Sequence, residues 1–257
     1  MNKATKVSSD GTRRAVTRAW VPEVPVAFEF NGLAYAVMMA TPDDLEDFCT
    51  GFALSEGLAA SATDISDIAI AEVEAGWIVR AALTGLGISQ LTERVRARVA
   101  ESSCGLCGIE NLAAVAKPLP KVARHAALEP GAIFAALTAL RPMQVMGNAT
   151  GAAHAAAHAA ADGTISCLRE DVGRHNAMDK LIGASARSGQ NLGSGFILST
   201  ARCSYEIVEK AVRGGATTLV CISLPTSLAV ERAAAAGLSL WALARDDSVL
   251  LVNDAST

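Results

Sequence analysis

Gly195-Phe196-Ile197-Leu198-Ser199 and Thr217-Thr218-Leu219-Val220-Cys221-Ile222 are short apolar runs, and Ser204–Arg213 between them has helical spacing. The alternation continues through Thr226–Ala236, which opens on a capping threonine and stops at Gly237, into a third extended run, Leu238–Ala244. Apolar runs of this length suit strands covered on both faces. Repeated strand–helix–strand units predict a mainly parallel sheet sandwiched between helices. Upstream, Pro130–Leu140 reads as a helix, Thr164–Leu168 as a strand after the Asp162-Gly163 turn, and Asn176–Ser188 as a helix. Ala152–Ala161 is alanine-rich and has helix propensity, yet it runs straight into that turn. It therefore reads as a hairpin arm.

The first half has a different texture. Val24–Phe30 and Leu33–Met39 flank Asn31-Gly32, a strong short-range hairpin signal. A helix is expected from Thr41, with Thr41 as cap, Pro42 at the first position and Asp43 and Asp44 near the positive end. Leu45, Phe48, Cys49 and Phe52 share one face, and Gly57 is the expected stop. Ile68–Val73 and Trp77–Leu83 form a second strand pair. Residues 89–100 read as an amphipathic helix through Leu91, Val95 and Val99. Pro118, Pro120 and Pro130 mark a boundary. The chain thus divides into a leader at 1–18, read as mobile, an α+β domain at 19–117 and an α/β domain at 118–257.

Composition narrows the function. Hydrophobic residues make up 51% and charged residues 19%, enough to bury a core. The net charge of −4 gives no basis for a nucleic-acid surface. No apolar run reaches the roughly 18 residues that cross a bilayer, and the cationic leader has no apolar stretch of a secretory signal. Six cysteines without such a signal suit a reducing, cytoplasmic compartment with free thiols.

Four segments suit chemistry. In Ser102-Ser103-Cys104-Gly105-Leu106-Cys107-Gly108 the glycines free the backbone and leave both sulfurs uncrowded. A thiolate there suits covalent sulfur carriage, and a second cysteine two residues away suits resolution of a persulfide. A zinc half-site or simple packing are the alternatives, although a structural zinc site usually has two such pairs. Arg169 through Lys180 crowds both signs of charge at a strand-to-helix junction, where open α/β sheets bind ligands. There Arg174, His175 and Lys180 suit phosphates or a thiolate, and Glu170 and Asp171 suit capping or proton acceptance; ion pairing on a solvated helix start is the bland reading. His154 and His158 lie on one strand face, as core residues or as ligands. Arg202, beside a Ser204 cap, suits an anion. Cys49, Cys167 and Cys221 read as core, and Cys203 as either core or functional.

Together these segments resemble the formate dehydrogenase accessory sulfurtransferases, the FdhD family. The likeness rests on Thr41-Pro42-Asp43-Asp44, Gly51-Phe52, Ser55-Glu56-Gly57, Ser103 through Gly108, and Thr150-Gly151 with His154-Ala155-Ala156. It continues through Arg169–Lys180 with Leu181-Ile182-Gly183, Ser204 with Glu206, and Leu224 through Ala229. The resemblance implies a cytidine-deaminase-like three-layer α/β/α domain with a smaller N-terminal α+β domain, usually a homodimer. It implies a carrier that accepts a persulfide from a cysteine desulfurase. The sulfur passes to the molybdenum or tungsten of bis-molybdopterin guanine dinucleotide, a bound client, before insertion into apo formate dehydrogenase. Cys104 is then the carrier and Cys107 its partner, with no structural metal and no permanent cofactor. His154, Arg174, His175 and Arg202 become cofactor or thiolate neighbours, and Leu243, Ala244 and Arg245 contacts to the guanine nucleotide. The chain differs from the family pattern at Ala201 and at Asp246-Asp247. A zinc-dependent deaminase-type hydrolase and a non-catalytic cofactor chaperone are the competing readings. The first wants a His-x-Glu segment ahead of Pro-Cys-x-x-Cys, an order this chain lacks.

Overall fold

The computed structural model describes residues 2–85, 91–93 and 117–257. The expected cysteine loop, and all of the 89–100 helix except 91–93, lie outside the described residues. Residues 2–18 are not an irregular leader: β1 (Asn2–Val7) and β2 (Arg13–Arg18) pair as an antiparallel hairpin in a sheet of their own. Thr5, Val7, Val16 and Thr17 between the cations supply the strand propensity.

β3 (Val24–Phe30), β4 (Leu33–Ala40), β5 (Ile65–Val73) and β6 (Gly76–Leu83) form a four-stranded sheet in the order β4-β3-β6-β5. Asn31 and Gly32 both take positive φ, 51° and 79°, the backbone a two-residue hairpin turn needs. Helix α1 (Leu45–Ser55) lies on this sheet. The few aromatic residues concentrate here: Phe28 stacks on Phe52 at 4.8 Å and meets Phe48 edge-on at 4.9 Å.

Thr41 does not cap α1, and Pro42 is not its first residue. The helix begins four residues later, behind Asp44 at φ 54°. Thr41 is fully buried and donates its N–H and hydroxyl to Asp171 Oδ2, at 3.0 and 2.8 Å. A distant buried carboxylate has outcompeted local capping.

The second half is a six-stranded sheet, order β12-β11-β10-β9-β7-β8. Its strands are β7 (His154–Ala160), β8 (Ile165–Asp171), β9 (Gly195–Ser199), β10 (Thr218–Cys221), β11 (Ser239–Ala242) and β12 (Leu250–Asn253). The alanine-rich segment is a strand, as its turn demanded. The sheet is mixed rather than mainly parallel: only β9–β10 and β10–β11 pair parallel. Hairpin arms at both ends supply the antiparallel strands.

Helices cover both faces. Helix α2 (Pro130–Met143) packs Ile133, Leu137 and Leu140 on one side, followed by the short α3 (Val145–Thr150). On the other lie α4 (Arg174–Ser188), α5 (Tyr205–Arg213) and α6 (Ser227–Ala236). Residues beyond 117 run over α6, where Val122 N–H donates to Ala236 O at 3.0 Å.

Two glycines join the halves. A Cβ at Gly51 of α1 would sit 1.7 Å from the Asp179 carbonyl oxygen of α4, and one at Gly183 would sit 1.9 Å from that of Asp47. The two helices therefore touch backbone to backbone. Around the crossing, Arg169 and Arg187 grip Asp47 at 2.7 and 2.6 Å, and Lys210 and Ser55 reach Asp179 at 2.9 and 2.7 Å.

Candidate functional site

Strand direction decides which loops meet. Because β9, β10 and β11 run parallel, their C-terminal ends share one edge of the sheet. Strand β7 runs the opposite way, so its first residue, His154, lies on that same edge, opposite Asp171 at the end of β8. Such an edge is where open α/β sheets bind ligands.

Asp171 sets the next turn. Its Oδ1 accepts from Gly173 N–H at 2.7 Å and Asn176 Nδ2 at 2.9 Å, while Lys180 Nζ lies 2.6 Å from Oδ2. This fixes the start of α4 and places Arg174 and His175 in its first turn. Arg202 comes from the loop after β9, pinned to β7 where Ala155 N–H donates to Thr200 Oγ1 at 2.8 Å.

The structure thus brings His154, Arg174, His175 and Arg202 together. Burial holds the half-buried His154 below its usual pKa, and the charges of Arg174, His175 and Arg202 push the same way, against Asp171. Both effects favour the neutral imidazole. His175 Nε2 lies 3.0 Å from Glu206 Oε2 and holds that carboxyl below the usual range. Arg174 Nε is buried with no hydrogen-bond partner among the described residues. Arginine charge, an unsatisfied buried donor and the N-terminus of a 15-residue helix are features that suit an anion.

Leu243, Ala244 and Arg245 follow β11 at the same edge but border the α2 face. Leu243 takes φ 49°, Ala244 is buried, and Arg245 donates to the carbonyls of Ile222 and Ala244. A cavity of about 570 Å³ lies there, lined by Leu137, Arg141, Ile222, Arg245, Asp246 and Asp247 among others. Arg141 meets Asp246 at 3.0 Å on its rim.

One expectation changes, and several open alternatives are decided. Lys180 does not face a ligand; it is fully buried against Asp171 and Thr41. Glu170 caps α3, accepting from Met146 and Gly147 N–H at 2.8 Å. His158 is core-buried and bonded through Nδ1 to Ser166 at 2.8 Å. Cys49, Cys203 and Cys221 are buried and Cys167 half-buried, all as free thiols. Burial pushes the Cys49 thiol up to about 12, so it is an unreactive packing group. Cys104 and Cys107 lie outside the described residues. No cluster of metal-ligating side chains occurs among the described residues, and none of their helices is long and apolar enough to cross a membrane. Sequence reasoning passed over Glu206 as the partner of His175; its place in the first turn of the helix after Arg202 was the available signal.

A model of the FdhD/NarQ family matches residues 21–256. The chain belongs to the FdhD/NarQ family. Among curated relatives of this family member, the sulfur carrier protein FdhD of Variovorax paradoxus (strain S110) is 43% identical over 235 residues. That alignment covers 91% of this chain and 84% of the relative. The protein of the same name from Cupriavidus necator is 45% identical over 223 residues, covering 87% and 77%. The fold is similar to a crystal structure from Desulfotalea psychrophila described as a formate dehydrogenase accessory protein. The TM-score is 0.75 at 22% identity, over 98% of this chain and 96% of the other.

Proposed function

We propose that this FdhD/NarQ family member is a cytoplasmic sulfur carrier that works through a persulfide on Cys104. The Cys104 thiolate attacks the outer sulfur of a cysteine desulfurase persulfide, a new S–S bond forms, and the desulfurase thiolate leaves. Attack of the Cys107 thiolate on Cys104 Sγ then closes a Cys104–Cys107 disulfide and releases the outer sulfur as sulfide, which goes to the molybdenum or tungsten of bis-molybdopterin guanine dinucleotide, here a substrate, before that cofactor enters apo formate dehydrogenase; a cellular dithiol reopens the disulfide. Cys107 serves as the partner thiol. The observation that carries this reading is the edge where Arg174 and Arg202 stand beside His154 and His175, with its unsatisfied Arg174 Nε, in a chain whose curated relatives are sulfur carriers. Those residues suit the pyrophosphates of a pterin dinucleotide.

The cavity beside Leu243–Asp247 suits the guanine, because carboxylates accept from its N1–H and exocyclic amine. We read the larger domain as cytidine-deaminase-like and the working unit as a homodimer. Mass spectrometry after incubation with desulfurase and cysteine tests the central step. A gain of one sulfur on the peptide containing Cys104, absent from Cys104→Ala, is expected. Full labelling of that variant removes Cys104 as the carrier.

A further inference from the structure

The β1–β2 hairpin lies outside the residues matched by the family model. Lys3, Lys6, Arg13, Arg14 and Arg18 stand there against the single carboxylate Asp10, a net charge of +4; the whole chain carries −4, so the remainder carries −8. Lys6 is registered directly opposite Arg14, an arrangement of like charges that weakens a ribbon. Nearly every residue of the ribbon is exposed, only Ala4 and Val16 being half-buried. A lone two-stranded ribbon is marginal in water, so this one calls for a partner that supplies negative charge and an edge.

Both occur on β5. It is a terminal strand of its sheet among the described residues. From Asp64 to Glu74 the strand and its two flanking residues carry Asp64, Asp67, Glu72 and Glu74 and no lysine or arginine. The nearby Arg80 is already matched by Glu29 at 2.5 Å. Ile70 and Val73 are exposed on β5 as Val7 is on the hairpin. We propose that the hairpin of one molecule adds as strands to the β5 edge of a second copy, the two arms exchanging about a two-fold axis. A flat anionic membrane fits less well, because Lys6, Arg14 and Arg18 lie on one face of the ribbon and Lys3 and Arg13 on the other. Nucleic acid fits less well because residues 2–18 hold no aromatic side chain.

This contact rests on the homodimer proposed above and is separable from it. Sedimentation velocity of the full chain should show a dimer whose dissociation constant rises about tenfold from 20 to 500 mM salt. Lys6→Glu with Arg14→Glu should weaken it similarly, as should Glu72→Lys with Glu74→Lys. Combining all four changes should restore it. A dimer indifferent to charge reversal or to deletion of residues 2–18 leaves the homodimer standing and overturns this contact. A monomer at every salt concentration overturns both. Nucleic-acid binding lost on deleting the arm, with no change in association, also overturns it.

Discussion

The stretch Asp171–Lys180 carries two kinds of charge, and they behave oppositely. Asp171, Asn176, Asp179 and Lys180 turn inward to the seam between the halves, where each side chain has a hydrogen-bonding partner. Arg174 and His175 turn to the sheet edge, where the charges of Arg174 and Arg202 help hold the His154 pKa down. Within one block, buried paired charge is architecture, and the Arg174 guanidinium, whose Nε has no partner among the described residues, is available to a ligand. Sequence shows the charges; only the partners show which kind each is.

The seam is the place to break that contrast hardest. Gly51→Val drives side-chain atoms into the α4 backbone and is expected to abolish soluble folded protein, or to cost well above the ~1–3 kcal/mol of ordinary overpacking. Soluble yield and urea unfolding measure it. Next, Lys180→Met strands a fully buried Asp171 carboxylate. Losing one partner of such a pair costs about 3–5 kcal/mol, read as a lower urea midpoint.

At the edge the signs reverse. Arg174→Ala with Arg202→Ala should change stability by less than about 1 kcal/mol but weaken pyrophosphate or GDP binding by about tenfold or more, measured by calorimetry. A stability loss as large as that of Lys180→Met would erase the distinction between the two regions. The smallest effect concerns pH. The folded-state pKa of His154 is lowered, so the unfolded chain takes up that proton first as pH falls through the usual histidine range of about 6.5. Stability should therefore decline from pH 7 to 5.5, and His154→Gln should flatten part of that slope.

Much of the fold was legible because short apolar runs and turn residues act locally. The β9 run, the Asn31-Gly32 turn and the Thr226 cap, which accepts from Ala229 N–H at 3.3 Å, all follow from neighbours in sequence. What was not legible depends on distant partners. Thr41 reads as a helix cap until Asp171, 130 residues away, claims it. Lys180 reads as a phosphate ligand until it is found buried. The Asp162-Gly163 turn revealed the β7–β8 hairpin, but the antiparallel β12 at the other end of the sheet was hidden. Four of the expected contact residues, His154, Arg174, His175 and Arg202, do converge, and the family resemblance had already grouped them.

The glycine crossing has a consequence for how the molecule comes apart. With helices from the two halves in main-chain contact at Gly51 and Gly183, neither half has a finished surface of its own. Melting should be a single cooperative event in calorimetry, with no separately denaturing module, and either half expressed alone should be insoluble until its complement is supplied.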